Sequence, residues 1–336
     1  MKAGKVIQRI IESVPMAFVM VLLVFLFVRA IPGDPVDIMM GSGGNVSERE
    51  IQAMRTDLGL DKPLGRQLVD FTKGLLHGDL GYSMAQKRNV VDLLLETFPA
   101  TVELALTALI FAVLLGLAIG VISAVRQNTL IDRISMGFSF LGISMPAFWL
   151  GLLAMFLFAM KWQLLPTSGR LTAGTAFHTI TGLYILDSII TGNWAVLKDA
   201  LRHILLPAMT LGAELLAIVA RVSRSSMVEV LRQDYIMLAR AKGVSEKRAV
   251  LRHALPNALI PTVTVAGLHM GVLLGGNMIV ETVFGWPGLG RLVVQSIFVR
   301  DYAVIQAAVA LYALTFLAVN LLVDIAYTYL NPKISM

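Results

Sequence analysis

The stretch RSSMVEVLRQDYIMLARAKGVSEKRAVLRHALPN, Arg224–Asn257, stands between two stretches that are apolar enough to lie in lipid. It is rich in arginine and lysine and carries apolar residues at helical spacing, whereas a flexible linker would be richer in Gly, Ser and Pro. What such a cationic, helix-patterned segment does at this point depends on how the chain crosses the membrane.

The composition of the 336-residue chain is that of an integral membrane protein. Hydrophobic residues make up 57% and charged residues 15%, with a mean hydropathy of +0.75; a soluble domain is nearer ~45–50% apolar and ~25% charged. The absence of cysteine excludes disulfides, thiolate catalysis and cysteine-ligated metals. The net charge of +6 fits the cytoplasmic Lys/Arg excess of membrane proteins, so we expect no binding of nucleic acid.

Six segments have the ~20 mostly apolar residues that a membrane-spanning helix needs. The first exceeds the ~7–15-residue apolar core of a signal peptide and has no clear cleavage site after it, so we interpret it as a retained helix. The sequence thus predicts an all-α integral membrane fold with six transmembrane helices. The predicted spans are 10–31, 101–125, 134–160, 205–222, 258–283 and 303–327.

The distribution of charge predicts the orientation of these spans. Segment 221–257 contains eight Lys or Arg and three Asp or Glu, whereas segment 32–100 contains seven basic and ten acidic residues. The positive-inside rule therefore places both termini and the basic segment in the cytoplasm, and 32–100 outside.

On the outer side, we expect segment 32–100 to form a small cap near the docking point of a binding protein, with a helix at 68–76 and turns at 32–35 and 78–81. Three tryptophans fall at or beyond the predicted outer ends of spans, where aromatic anchors are expected: Trp162, Trp194 and Trp286.

The opening stretch has the pattern of two short helices joined at an elbow. One apolar helical face is formed by Met227, Val230, Leu231, Tyr235, Leu238 and Ala239. Gly243 fits the left-handed position that ends a helix, Ser245 is suited to cap a second helix, and Pro256 is expected to end it. A helix lying on anionic lipid and a docking element both agree with this pattern; the fixed elbow favours docking.

The same stretch resembles the cytoplasmic signature of permease subunits in bacterial ATP-binding-cassette importers: E-A-A-x-x-x-G, nine residues, then I-x-L-P. Four positions stand in register with it: Ala239, Gly243, Leu255 and Pro256. Three others replace its Glu, first Ala and Ile: Met237, Leu238 and His253.

Further stretches extend this resemblance over nearly the whole chain. They are IPGDPV at 31–36, LGLDKP at 58–63, HGDLGYS at 77–83, FPATVEL at 98–104, SMPAFWLG at 144–151 and FGWPGLGR at 284–291. Together they resemble the permease subunits of dipeptide, oligopeptide and nickel importers, most closely the dipeptide branch in Gram-negative bacteria.

The resemblance implies the permease fold of type I importers in the bacterial inner membrane. An N-terminal transmembrane helix and a periplasmic segment would occupy 1–96, and a five-helix core 97–336. The elbow would be the coupling helix, which sits in a cleft of a cytoplasmic ATPase. The residues that would couple to the ATPase are Tyr235, Leu238, Ala239, Ala241, Gly243, Leu255 and Pro256.

The partners implied by the resemblance are a homologous sister permease, two ATPase subunits and a periplasmic solute-binding protein, with membrane lipid around them. The solute would be a dipeptide or small peptide, moved by alternating access. Oligopeptides, nickel complexes, glutathione and haem are alternative solutes.

The sequence indicates no catalytic or cofactor site. It contains no G-x-x-x-x-G-K-[ST] loop for phosphate, the five histidines are too scattered for a metal site, and the glycines of GWPGLG indicate an outer turn. ATP hydrolysis would therefore belong to a partner. A self-sufficient ion-coupled carrier would require paired membrane charges or broken helices in two matching halves, and a membrane hydrolase a nucleophile–base pair; neither is indicated.

Polar residues inside the predicted spans are candidates for a transport pathway, since such groups usually face the bundle interior or a water-filled cavity. Glu214 and His269 lie mid-span and could line the pathway or serve in packing. Glu281 and Asp324 lie near span ends, where capping or ion pairing is the better interpretation.

Small residues at every fourth position predict two closely packed helix faces. One comprises Gly267, Gly271 and Gly275, and the other comprises Gly116 and Gly120.

Overall fold

Helices dominate the structure. The computed structural model of the chain describes residues 2–30, 52, 55–56, 59–275 and 278–330. In chain order the elements are α1 Lys2–Ala30, α2 Leu64–His77, β1 Tyr82–Ser83, β2 Arg88–Asn89, α3 Val90–Val125, α4 Leu130–Ser144, α5 Ala147–Lys161, α6 Tyr184–Ile190, α7 Trp194–Leu231, α8 Asp234–Ala241, α9 Glu246–Leu274, α10 Met278–Val283, α11 Leu289–Phe298 and α12 Tyr302–Leu330. The predicted turn at 32–35, the Asp324 side chain and the tail at 331–336 lie outside this description.

Helices that could cross a membrane account for most of this length. Among the described residues, α3, α7, α9 and α12 have sufficient length and apolarity, and the bent pair α4–α5 makes five if it crosses once. Helix α1 contains a shorter apolar stretch, Ile11–Phe27. The predicted helical membrane fold is thus confirmed, while the count of six spans stays a prediction.

The predicted span 134–160 is wrong as one straight helix. Helix α4 ends at Ser144, α5 begins at Ala147, and the two are bent by 112°. Pro146 supplies the physical reason: it offers no N–H to the helix and disfavours helical backbone at Met145, whose φ and ψ are −98° and 134°.

The predicted span 258–283 is also misplaced. Helix α9 begins at Glu246, within the basic stretch, and ends at Leu274, while 278–283 belong to the separate helix α10. Val280 of α10 is buried with Phe284 and Leu206. The apolar residues after Leu274 therefore cover the bundle end instead of prolonging the span.

Helices α3 and α7 pack along much of their length and form the centre of the bundle. A Cβ placed on Gly116 would lie 2.7 Å from the Leu216 carbonyl oxygen, and one on Gly120 would lie 2.6 Å from that of Ala220. Gly212 of α7 approaches the backbone of α3 in the same way, within 2.8 Å. The predicted Gly116/Gly120 face is confirmed, and it lets the two backbones touch.

The other predicted glycine face is confirmed at one position. A Cβ on Gly271 would lie 3.1 Å from Phe316 and Asn320 of α12, so this glycine packs within the chain. Gly275 has only the backbone of its own helix nearby.

Outside the bundle, residues 64–89 form a helix followed by a short hairpin. Helix α2 contains the predicted helix 68–76, and the predicted turn that follows it is confirmed by the left-handed backbone of Gly78 and Gly81, with φ of 75° and 83°. The hydroxyl of Ser83, in β1, donates a 2.5 Å hydrogen bond to Asp301 just before α12, and both side chains are buried. The hairpin is thereby fastened to the bundle.

The contact of α3 with α7 predicts a marked sensitivity at Gly120. Gly120→Ala should destabilise the protein by about 1–3 kcal/mol, because the added methyl group would overlap the α7 backbone. Thermal unfolding of the purified protein is the measurement. Gly137→Ala in α4 is the matched control, since a Cβ there meets nothing within 4 Å, and equal melting temperatures for the two variants would contradict the packing described here.

Candidate functional site

The basic segment begins with a break that the periodicity did not indicate. Helix α7 ends at Leu231 and α8 starts at Asp234, with extended backbone at Gln233, whose φ and ψ are −71° and 146°. The prediction of one continuous apolar face from Met227 to Ala239 is therefore wrong. The break turns α8 so that Ile236, absent from the predicted face, becomes completely buried.

Helix α8 rests on a small apolar core at one end of the bundle. Ile236 packs there with Met227 of α7, Ala124 of α3 and Val250 of α9, all of them buried. This core joins the ends of three long helices, so a displacement of α8 would also displace the ends of α3, α7 and α9.

The elbow after α8 has the predicted geometry. Gly243 has a φ of +81°, with open space where a side chain would be, and Ser245 has the extended backbone of an N-cap residue. The Ser245 side chain makes no capping hydrogen bond. The backbone carbonyl of Ser245 instead accepts hydrogen bonds from the backbone N–H groups of Arg248 and Ala249, near the start of α9. Arg240 spans the elbow with two hydrogen bonds to Glu246, of 2.6 and 2.9 Å.

Pro256 does not end the second helix, contrary to the prediction. Helix α9 continues through it to Leu274, so the elbow joins a short helix directly to a long one. A π-helical turn at Ala249–Ala254 immediately precedes the proline. This shift in hydrogen-bond spacing places the proline at the start of the regular α-helix, where its missing N–H is tolerated.

The predicted coupling residues divide into two groups. Those exposed around the elbow are Tyr235, Leu238, Ala241, Gly243 and Pro256. Ala239 and Leu255 are half-buried, and Leu255 packs against the small core. Large apolar side chains of α8 thus face outward: Leu238 is 56% and Met237 52% exposed.

An ion pair beneath the elbow was not predicted. Arg224 of α7 donates hydrogen bonds of 2.6 and 2.7 Å to both carboxylate oxygens of Asp132, which is buried in the first turn of α4. Asp132 also accepts from the Ser123 hydroxyl and the Asn128 backbone N–H. The two partners are 92 residues apart, so the sequence gives no indication of the pair itself. The sequence indicates only that Asp132 lies in the first turn of a helix, three residues after the N-cap residue Thr129.

At the opposite end of the bundle, the GWPGLG turn encloses a buried carboxylate. Glu281 accepts hydrogen bonds from the Thr101 hydroxyl, at 2.8 Å, and from the Arg291 backbone N–H in the first turn of α11, at 3.0 Å. A Cβ on Gly288 would lie 2.5 Å from this carboxylate, so there is no room for a larger residue at position 288. Of the two roles predicted for Glu281, capping and ion pairing, the structure shows capping.

The tryptophans at this end differ from one another. Trp162 and Trp194 are exposed, as anchors would be. Trp286 is 1% exposed, and its indole N–H donates a 2.8 Å hydrogen bond to the Ala100 carbonyl, so its prediction as an anchor is wrong. The sequence could not indicate a partner 186 residues away.

Buried charges also order the loop between α5 and α7. Arg170 forms a 2.5 Å ion pair with Glu103 of α3 and stacks over the Tyr184 ring at 3.5 Å. Asp187 of α6 is buried, which by itself raises its pKa, but hydrogen bonds from Thr181 and from neighbouring backbone amides hold that pKa below its usual range. The loop is thus held to the bundle by charged groups that have partners.

The two predicted pathway residues lie in one cavity. Glu214 of α7 and His269 of α9 both line a space of about 160 Å³ beside the α4–α5 bend. Gly142 and Leu150, on either side of the bend, line it as well, and so does Thr210, one turn before Glu214. The break at Pro146 therefore opens polar space in the middle of the bundle.

Glu214 is exposed in the isolated chain although it lies near the midpoint of the apolar helix α7. A carboxylate facing lipid at the centre of a membrane costs about 2.5–3.5 kcal/mol by insertion scales. This face of α7 is therefore suited to an aqueous pathway or to a protein partner. Among the described residues, no group of three or more His, Cys, Asp or Glu is placed to hold a metal ion.

A bundle of apolar helices, with a basic elbow at one end and a polar cavity at its middle, is typical of membrane transport proteins. Comparison with known families gives the same class and a narrower assignment. Residues 116–336 match the family "Binding-protein-dependent transport system inner membrane component", and residues 4–105 match its N-terminal region. The chain belongs to this family of inner-membrane transport components.

Several relatives are similar to this chain over nearly their whole length. The dipeptide transport system permease protein DppB of Escherichia coli K12 is 42% identical over 332 residues, 98% of each chain. The di/tripeptide transport system permease protein DppB of Pseudomonas aeruginosa is 44% identical over 321 residues, 96% of this chain and 95% of that one. The glutathione transport system permease protein GsiC of Pectobacterium atrosepticum is 44% identical over 328 residues, 98% and 97%.

A solved structure of an amino acid ABC transporter aligns with a TM-score of 0.46 at 17% identity, over 68% of this chain and 90% of that one.

The Asp132–Arg224 pair should be strongly coupled. Removing either partner leaves a charge with little water around it, so Asp132→Asn or Arg224→Gln should each lower the stability of the protein. The loss should be smaller than the ~3–5 kcal/mol of a fully buried pair, because the Arg224 side chain is partly exposed. Thermal unfolding of both single variants and of the double variant is the test. The double variant should lose much less than the sum of the single losses, and additive losses would contradict a direct interaction.

Proposed function

We propose that this chain is the membrane-spanning permease subunit of an ATP-driven importer for short peptides. In the proposed assembly it pairs with a homologous sister permease, two ATPase subunits bind on the cytoplasmic side, and a periplasmic protein delivers the solute. The chain itself performs no covalent chemistry. Its sequence contains no phosphate-binding loop, so the energy of ATP has to come from a partner.

The observation that carries this proposal is the outward apolar face of α8 on a firmly packed base. Ile236 anchors the helix to the small core, while Met237 and Leu238 stay more than half exposed. The Arg240–Glu246 bonds restrict the elbow. A rigid element with exposed apolar side chains is suited to insertion into a complementary cleft.

The proposed topology has six spans, with α4–α5 crossing as a bent pair and both termini in the cytoplasm. Two sets of long-range contacts support this arrangement. The first turn of α4 and the last part of α7 meet through Asp132 and Arg224, at the end that carries the elbow. At the other end, α3 meets the loop after α5 through Glu103 and Arg170, and the hairpin meets the start of α12 through Ser83 and Asp301.

We also propose that the chain has two parts with different roles. Residues 1–96 would provide an N-terminal span and a periplasmic cap at the docking face of the binding protein, and residues 97–336 the five-span core. The fastening of the hairpin to the start of α12 supports a cap that moves with the core.

The solute proposed is a peptide of two or three residues. Relatives named for dipeptides, for di- and tripeptides and for glutathione, itself a tripeptide, are similar to this chain to nearly the same degree. What these three solutes share is their size and their peptide chemistry. Glutathione is the second candidate solute, on the strength of the same identities.

Transport would follow alternating access. Closure of the ATPases on ATP would move α8, and the small core would transmit this movement to α3, α7 and α9. The cavity with Glu214 and His269 would then open toward the periplasm to receive the peptide, and toward the cytoplasm after hydrolysis. Its position between α7, α9 and the α4–α5 bend supports its role as part of the pathway.

Gly243→Val tests the coupling role of the elbow. Left-handed backbone costs a residue with a Cβ about 1–2 kcal/mol, so the equilibrium constant for the docking geometry of the elbow should fall about 5–30-fold. Peptide uptake by proteoliposomes that contain the whole complex should fall by up to this factor, while membrane insertion stays normal. Uptake and ATP hydrolysis are measured on the same vesicles.

Two controls separate docking from lipid binding. Gly243→Asn should keep most of the uptake, because asparagine tolerates left-handed backbone. Arg248→Gln with Arg252→Gln removes two exposed charges from the segment and leaves the Arg240–Glu246 bonds intact. Normal uptake in the valine variant, together with loss in the charge-neutralised one, would show that the segment acts on lipid and would contradict the coupling role.

A further inference from the structure

The cavity beside the α4–α5 bend contains polar groups that the fold itself does not use. Thr210 is 3% exposed, and its hydroxyl has no hydrogen-bond partner among the described residues. Glu214, one turn further along α7, forms no ion pair or hydrogen bond within the described part of the chain, and the same is true of His269 across the cavity. Three unused polar side chains around one space point to a ligand.

The buried acidic groups among the described residues behave differently. Glu103 and Asp132 are each paired with an arginine, while Asp187 and Glu281 accept hydrogen bonds from backbone amides and a threonine hydroxyl. Glu214 therefore stands out as a carboxylate near the midpoint of an apolar helix whose countercharge is not among the described residues. A negative charge in such a place is suited to a positively charged group that arrives and leaves.

The size and the chemistry of the cavity restrict that group. A space of about 160 Å³ is large enough for several water molecules or for one end of a small solute, but it is also lined by Ile143, Leu150 and Val272, which do not suit a fully hydrated ion. An ammonium group brings three hydrogen-bond donors. The carboxylate of Glu214, the hydroxyl oxygen of Thr210 and a ring nitrogen of His269 are the acceptors that could receive them.

We propose that Glu214 binds the α-ammonium group of the transported peptide, and that Thr210 and His269 complete its hydrogen bonds in this cavity. The proposal rests on the function proposed above and deepens it, because it assigns recognition of the amino terminus to the permease itself. A free amino terminus is common to every zwitterionic peptide, whatever its side chains. Such a site would therefore accept many short peptides while disfavouring solutes without a cationic end.

Direct binding to the purified complex in nanodiscs, without the binding protein, tests the site. Saturation-transfer NMR detects weak binding of two small probes: alanine amide, which has the ammonium group but no carboxylate, and N-propionylalanine, which has the carboxylate but no ammonium. Alanine amide should bind, and Glu214→Gln should weaken its binding about tenfold, the loss expected for a charge-assisted hydrogen bond. Glu214→Asp should keep part of the binding. N-propionylalanine should bind weakly and should not respond to Glu214→Gln.

The matched control is Asp92→Asn, which removes an exposed carboxylate from the first turn of α3, away from the cavity. Unchanged alanine amide binding in Glu214→Gln would overturn the proposal, as would an equal loss in Asp92→Asn or an equal response of both probes. Uptake of a dipeptide by wild-type proteoliposomes is measured separately. Binding without any uptake would refute the proposed transport function and leave the ammonium site standing, so the two failures are distinguishable.

Discussion

The backbone contact between α3 and α7 is the constraint on which the rest of the structure depends. Gly116 and Gly120 on one helix, and Gly212 on the other, remove the side chains that would hold the two helices apart. With the two axes in contact, Ala124 and Met227 meet at one end and form the base for α8. At the other end the same pair provides the surface that Trp286 covers.

The elbow and the cavity are connected by packed residues of α7 and α4. Arg224 lies within one turn of Met227 on α7 and holds Asp132 at the start of α4. Helix α4 leads to the bend at Pro146, whose flanking residues line the cavity. A displacement of α8 therefore has a short packed route, through one ion pair and one rigid helix, to the point where the solute would be held. Packed interiors transmit such displacements because they have little free volume.

Local chemistry made much of this architecture predictable. Apolar runs indicated where helices would lie, Gly243 indicated the elbow, and the position of Glu281 near a span end indicated a cap. Glu214 and His269 could be predicted as pathway candidates because ionisable groups in apolar helices are rare. Nothing in the sequence indicates that the two side chains line the same cavity. That juxtaposition, like the pairs Asp132–Arg224 and Trp286–Ala100, depends on tertiary contacts between distant residues.

The effect of a proline on a helix could not be predicted from the sequence. Pro99, Pro207 and Pro261 lie inside continuous helices, whereas Pro146 separates two helices by a sharp bend. The residue type is the same in all four cases, so the outcome depends on whether neighbouring helices leave room for a bend and satisfy the freed backbone groups. The prediction that Pro256 ends the second helix is wrong for the same reason, because the π-helical turn that accommodates this proline depends on the packed structure.

The claim that the outward face of α8 docks the ATPase on the cytoplasmic side is tested most directly by photo-crosslinking in membranes. A benzoylphenylalanine replaces Leu238, which is exposed on α8, and a second variant carries it at Ile190, which is exposed on α6 at the opposite end of the bundle. After irradiation, we predict an adduct with the ATPase subunit at position 238 and none with it at position 190. An adduct at position 238 with lipid alone, or with the periplasmic binding protein, would contradict the docking role of α8.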